Sequence, residues 1–378
     1  MTLRISLALL TLLLFPSAAA TEGRHVTEGH AAATEVRLVT EGHAVTAGHH
    51  AAVTEGRTGT EGRTGTKGPA AETRCSVSVP RGFLEVDLSW HTGWPKAAPK
   101  VQAARRELGE HLFNDVRLSA TGSASCATCH QIEAHLAEPK ARSTGSTGAA
   151  LGFNAPTLFN SALKHTLQWR AGGPAKLSEQ HLRPLTSTTP VELGFGTAQL
   201  ATLNADLELR TLLRTAALPS SAADMTPAVE SFTLDSVARL IASYVATLRC
   251  ATAFDALLYA DQHTALSPAA HRGLALFTSP RLGCAGCHSG PLLGGGLRTA
   301  TVELAATRTQ RERPTGTVEL ATPSLRGVAH TAPYYFDGSA PTLAAVIDDY
   351  EQGRFAELPR FSLADEERSA LIAFLESL

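Results

Sequence analysis

Methionine is almost missing from this sequence: of 378 residues only two are methionine, the initiator and Met225. Methionine as a metal ligand late in the chain is excluded with it. Aromatics are scarce at 6%, with five tyrosines and three tryptophans. The formal charge is −2 with histidine neutral, which leaves no strongly basic or acidic balance to suggest nucleic acid or an anionic membrane as partner. Beyond the first residues there is no long apolar run, and a membrane span takes about 20 such residues. Convincing alternating strand patterns are lacking too.

What is present starts with "MTLRISLALLTLLLFPSAAA". Arg4, the apolar run Ile5 to Phe15, and Ala18 and Ala20 in an A-x-A arrangement read as a cleaved secretory signal over residues 1–20. An exported, periplasmic protein follows. Residues 21–74 repeat "TEGR" and "TEGH". Their composition buries too little apolar surface to offset chain entropy, so a disordered leader is expected. About 300 residues remain, room for two modest domains or one large one. Helix signals dominate them. "VQAARRELGEHLF" puts Val101, Ala104, Leu108 and Leu112 on one face, and "FTLDSVARLIASYVATL" does so with Leu234, Val237, Ile241, Tyr244 and Leu248. "SPAAHRGLALF" opens with Ser267 as cap and Pro268 at the first helical position, and "SLADEERSALIAFLESL" has a capping-box-like start at Ser362 and Asp365. In "DGSAPTLAAVIDDYEQG", Leu343, Val346, Ile347 and Tyr350 share a face, so the tyrosine points inward. The fold expected is mainly α with long loops.

Four of the six cysteines stand as Cys126-Ala-Thr-Cys129-His130 and Cys284-Ala-Gly-Cys287-His288. C-x-x-C-H is the attachment pattern of c-type haem: two thioether bonds fix the macrocycle and the next residue, histidine, is held under the iron. The lead-ins "RELGEHLFNDVRLSATGSASCATCH" and "HRGLALFTSPRLGCAGCH" both carry Leu-Phe and then Arg-Leu before the motif. That likeness suggests a duplicated, cytochrome c-like haem domain, divided here as residues 75–262 and 263–378. Cys75 and Cys250 are left over, and in an oxidising compartment they most simply form a disulfide, free thiols being the alternative.

Function turns on the iron face opposite each histidine. After Cys287 the chain holds only His288 and His330 as histidines and no methionine, so His330, Tyr350 or nothing is the sixth ligand of the second haem. For the first, "LAEPKARSTGSTGAALGFNAPT" contains neither His nor Met. His135, His165 and His181 remain, His135 too close to His130 to reach the far face easily. An open first haem is favoured, and in a periplasmic protein its small ligand would be peroxide.

"LFNDVRLSATGSASCATCH", "FNAPTLFNSAL", "LSEQHLRPL", "TPVELG", "GCAGCHSG", "TPSLRGVAHTAPYYFDGS" and "TLAAVIDDY" together resemble the bacterial di-haem cytochrome c peroxidase and MauG superfamily over residues 100–378, in its tyrosine-ligated MbnH-like branch. The resemblance implies that Glu192 and Gln180 line the distal face of the peroxide-binding haem and that Trp169 relays electrons between the haems. It also implies that a calcium ion lies between the domains, at Asn154, Thr331 and Pro333, through the mixed oxygen ligands calcium accepts. Tyr350 falls where methionine stands in ordinary peroxidases and tyrosine in the MauG and MbnH-like members. Phe336 replaces the histidine common in the "YFHDG" motif. The activity implied is peroxide-dependent: two oxidising equivalents held over both haems and discharged on a Trp or Tyr side chain of an exported partner protein. The competing expectations are a peroxidase reducing H2O2 to water with electrons from a small cytochrome or cupredoxin, and a non-enzymatic di-haem electron carrier.

Overall fold

The computed structural model describes residues 88–217, 230–295, 299–304, 316–355 and 358–378, all within one compact unit that includes Thr73–Leu378. The signal and leader expected at the N-terminus, Cys75 and Met225 lie outside the described residues. Within them the protein is mainly helical. The helices are α1 Leu88–Thr92, α2 Pro99–Asn114, α3 Cys126–Cys129, α4 Leu177–Thr186, α5 Thr197–Ala205, α6 Leu207–Ala216, α7 Leu234–Val245, α8 Ala253–Ala260, α9 Pro268–Phe277, α10 Cys284–Cys287, α11 Leu343–Glu351 and α12 Asp365–Leu375. No helix among the described residues is long and apolar enough to cross a membrane.

Local chemistry sets the helix starts. Ser267 Oγ accepts from Ala270 N at 3.1 Å ahead of Pro268, as its cap position predicts. Thr233 caps α7 through Ser236 N at 3.1 Å, and Thr342 caps α11 through Ala345 N at 3.1 Å. The last helix departs from expectation. Its cap is Ala364, not Ser362, and Glu367 Oε2 accepts from the Ala364 amide at 3.2 Å. Asp365 is thus the first helical residue, one of three acids placed at the positive end of the helix dipole.

Two apolar cores form, each around a crossed pair of helices. In the first, α2 meets α7 at Gly109, where an added Cβ would stand 2.0 Å from Leu240 O and 3.1 Å from Tyr244 Cβ. In the second, α9 meets α12 at Gly273, where a Cβ would stand 2.0 Å from Ala370 O and 2.7 Å from Phe374 Cβ. Both glycines precede their Leu-Phe pair by the same interval. Phe113 meets Tyr244 with ring centroids 5.2 Å apart, and Phe277 meets Phe374 at 5.2 Å. The repeated lead-ins therefore build one packing arrangement twice. The second core also takes in Phe254 and Leu257 from α8.

One element was not expected. β1 Thr299–Leu304 pairs antiparallel with β2 Gly316–Ala321, Val302 opposite Val318. Each strand has six residues, and Thr299–Leu304 does alternate polar and apolar, a signal confined to one short run. β2 is also joined on its other side: Ala171 N donates to Glu319 O at 3.1 Å and Ala321 N to Trp169 O at 2.8 Å. That pairing fixes the backbone of Trp169.

Candidate functional site

Each C-x-x-C-H forms a single helical turn followed by a loop that returns a carbonyl to the histidine. His130 Nδ1 lies 2.9 Å from Leu136 O, and His288 Nδ1 lies 3.0 Å from Leu293 O. A carbonyl only accepts, so Nδ1 carries the hydrogen in both rings and Nε2 is left as a bare lone pair, the form that binds iron. Both leucines are buried and held at positive φ, 55° at Leu136 and 48° at Leu293, a conformation that branched side chains rarely take. Burial lowers the pKa of both histidines, which keeps them neutral. It pushes the Cys126 thiol up to about 12 and the Cys129 and Cys284 thiols up to about 11. None of the four motif cysteines is in a disulfide.

The loops are braced differently. At the first, Leu158 N donates to Leu136 O at 3.2 Å and Thr157 Oγ1 to His135 O at 2.6 Å. At the second the brace is Arg326, whose Nε and NH2 donate to Pro291 O at 3.0 and 2.7 Å, and whose charge meets Asp255 at 2.9 Å with both side chains 2% exposed. Nothing in the sequence marked Arg326 as buried.

Beside His288 lies a largely apolar cavity of about 250 Å³, walled by Cys284, Cys287, Phe277, Leu343, Val346, Ile347 and Tyr350 among others. The whole inward face read from α11 thus lines it. Tyr350 stacks on Phe355 with centroids 4.9 Å apart and planes at 28°, and burial raises its phenol pKa. Arg368 of α12 pairs with Asp348 at 2.5 Å and with Glu351, tying α11 in place. His330, the rival, is not among the lining residues; its ring stacks on His135 at 4.0 Å with planes 10° apart. Trp169 lines the same cavity and donates from Nε1 to Asn154 O at 2.9 Å. Phe336 packs beside it in an apolar cluster with Leu320, which accounts for an apolar residue there. Asn154, Thr331 and Pro333 all line the cavity as well. Asn154 Nδ2 donates to Lys140 O at 2.7 Å, so its Oδ1 faces the other way.

At the first site Glu192 follows a turn in which Ser187 Oγ donates to Pro190 O at 2.6 Å, and its carbonyl accepts from Ser146 N at 2.7 Å. Gly145 is required there, since a Cβ would fall 1.8 Å from Val191 O. Burial raises the Glu192 pKa, Arg183 acting against it, and the Glu192 charge reaches Cys126. Gln180 lies on α4, its Oε1 accepting from Gln168 Nε2 at 2.8 Å. Beside it, burial lowers His181 to about 4, with its ring turned to the Ala238 backbone and close to His130, while its buried Nδ1 has no hydrogen-bond partner. His165 is exposed.

A family model described as di-haem cytochrome c peroxidase matches residues 103–263. Over 327 residues the chain is 30% identical to cytochrome-c peroxidase IdrP2 of Denitromonas iodatirespirans, covering 75% of this chain and 84% of the relative. It is 30% identical over 307 residues to methylamine utilization protein MauG of Methylorubrum extorquens, covering 75% and 80%. The chain belongs to the di-haem cytochrome c peroxidase family. Among solved structures it is similar to a MauG-like protein associated with microbial copper homeostasis, at 26% identity and a TM-score of 0.63 over 75% of this chain and 93% of that one. As a family member it is a peroxidase-type oxidoreductase with c-type haem as cofactor. The residues fit that cofactor. Two cysteine pairs outside disulfides and two neutral histidines with bare Nε2 supply the attachment and the axial ligand twice, and one of the two sets opens on an apolar cavity.

Cys250 is buried and disulfide-bonded, while Cys75, its expected partner, lies outside the described residues. Among the described residues no group of three or more His, Cys, Asp or Glu is placed to hold a metal ion. Calcium would therefore rest on amide and carbonyl oxygens.

Proposed function

We propose that this member of the family is a peroxide-dependent oxidase of the MauG and MbnH-like kind, exported to the periplasm, which oxidises a tryptophan or tyrosine side chain of a partner protein at long range. The observation that carries the reading is Tyr350 in the wall of the second haem cavity, in a chain whose only methionine besides the initiator is Met225. A thioether ligand favours reduced iron, whereas a phenolate favours oxidised iron and so the storage of oxidising equivalents. When bound, the two haem irons supply the redox chemistry. Around the first, Glu192 is the proton carrier for peroxide: its raised pKa lets one carboxyl take a proton from one oxygen and return it to the other. Gln180 is the second group on that face; His135 stacks on His330 and His165 is exposed, so of the three histidines only His181, buried near His130 with its Nδ1 unpartnered, competes with a first iron open to peroxide. Trp169, held by its indole N–H and by β2, conducts between the halves. Asn154 Oδ1 with the carbonyls of Thr331 and Pro333 is the proposed calcium site, and Cys75–Cys250 the proposed disulfide.

The test adds one equivalent of hydrogen peroxide to the ferric protein. A long-lived oxidised state involving both haems, lost in Tyr350→Phe while the fold is kept, is the expected result. Tyr350→Phe retains the stacking on Phe355 and removes only the phenol oxygen. If the variant forms the same persistent state, Tyr350 is not the ligand that stores the equivalents; if wild type instead turns peroxide over rapidly with reduced cytochrome c or a cupredoxin, the protein is an ordinary peroxidase. Two fully low-spin haems unreactive to peroxide would make it an electron carrier.

A further inference from the structure

A chain of side-chain hydrogen bonds runs from the surface to Gln180. Arg183 NH1 donates to Gln168 Oε1 at 3.0 Å, and Gln168 Nε2 donates to Gln180 Oε1 at 2.8 Å. The two ends of an amide side chain have nearly the same shape and differ in what they bond, whereas a guanidinium only donates. Arg183 therefore fixes Gln168 with its oxygen toward the guanidinium and its NH2 toward Gln180. Gln168 in turn fixes Gln180 with its oxygen turned back along the chain. What Gln180 offers in any other direction is Nε2 with its N–H donors. Gln168 has little room to turn: a Cβ on Gly173 would stand 3.1 Å from its Cβ and Cγ, so the 172–174 backbone closes over it. Arg183 is also close enough to Glu192 for its charge to bear on that carboxyl.

We infer that Arg183 and Gln168 are positioning residues that hold Gln180 as a hydrogen-bond donor toward the open face of the first haem site, which gives that face its affinity for an anionic ligand of the hydroperoxide class. The inference rests on the reading that Gln180 lines that face. A donor there stabilises a bound anion through a charge-assisted hydrogen bond, whereas the reversed amide would present a carbonyl oxygen and repel it.

The test titrates fluoride, a small anion, and imidazole, a neutral ligand, into the haem-loaded ferric protein, with binding read from the optical spectrum. Gln168→Glu is nearly isosteric but accepts from both neighbours, so it turns Gln180 round. Gln168→Leu breaks the chain without adding charge. Fluoride affinity should fall about tenfold or more in Gln168→Glu, the factor that one hydrogen bond to a charged group corresponds to, and by less in Gln168→Leu and Arg183→Ala, while imidazole affinity is undiminished in all three. A fluoride loss confined to Gln168→Glu would be a through-space charge effect and would overturn the inference. Equal losses for both ligands would make Gln168 merely structural and overturn it as well. Gln180→Leu separates the two levels of the argument. If it weakens fluoride while the Gln168 variants do not, only the positioning chain fails; if it leaves fluoride unchanged, Gln180 is not on that face and both fail.

Discussion

Replacing Arg326 by methionine should destabilise the second half of the molecule by about 3–5 kcal/mol, the cost of breaking a buried ion pair from one side. The guanidinium is 2% exposed and meets Asp255, itself 2% exposed, at 2.9 Å. Once it is removed, Asp255 keeps only the donors of Thr252, its amide at 2.8 Å and its hydroxyl at 3.1 Å, both on Oδ2. Pro291 O loses two donors at 3.0 and 2.7 Å, an unsatisfied carbonyl worth about 1–3 kcal/mol that overlaps the first figure. Against a native stability of about 5–15 kcal/mol this is a large fraction. The companion variant Arg326→Met with Asp255→Leu removes the stranded carboxylate, and apolar replacement of both partners of a buried pair is often neutral. It should regain most of the loss, leaving the Pro291 share. Urea unfolding of the haem-loaded protein, run as a double-mutant cycle, measures both. Because Pro291 leads into the loop whose Leu293 carbonyl orients His288, the single variant should also shift the reduction potential of the second haem and leave the first unchanged. A single variant that costs under about 1 kcal/mol, the range of a solvated surface pair, or a double variant no more stable than the single, would refute the account of Arg326 as the brace of this loop.

Gly109→Ala and Gly273→Ala should each cost about 1–3 kcal/mol by forcing their helix pairs apart. The larger effect belongs to Gly273, where Phe374 Cβ as well as the Ala370 carbonyl stands in the way; thermal midpoints equal to wild type would show that the crossings open freely. Burial holds His181 and His135 neutral down to about 4, with the neighbouring His330 adding to the effect at His135. An unfolded histidine titrates near 6.5, so protons bind the unfolded chain more readily, and stability should be complete above pH 6.5 and fall steadily as the pH drops toward 4. His181→Gln should flatten part of that slope in the thermal midpoint, and a wild-type midpoint constant over the range would contradict the shift.

What could be read in advance follows how local its chemistry is. Cys126 to His130 and Cys284 to His288 carry their meaning within five residues, so spacing alone marked both attachment sites. The likeness of the two lead-ins was visible as Leu112-Phe113 and Leu276-Phe277, but the purpose of Gly109 and Gly273 was not, because each is needed by a carbonyl on a helix far along the chain. Periodicity turned Leu343, Val346, Ile347 and Tyr350 to one side, and all four do line one cavity. It could not show that His330, the rival to Tyr350, is spent in a stack with His135, nor that the ring under Tyr350 is Phe355, a loop residue outside any periodic pattern. Gln168 carries no signal in the sequence, because an amide beside a tryptophan means nothing until Arg183 fixes its direction, and that contact spans a loop shaped by Gly173 and by Pro174, whose carbonyl accepts from Leu167 N. The unread residues share one property: each answers to a group far along the chain, a carbonyl for Gly109 and Gly273 and a guanidinium for Gln168, and such contacts depend on tertiary packing, which neither spacing nor composition encodes.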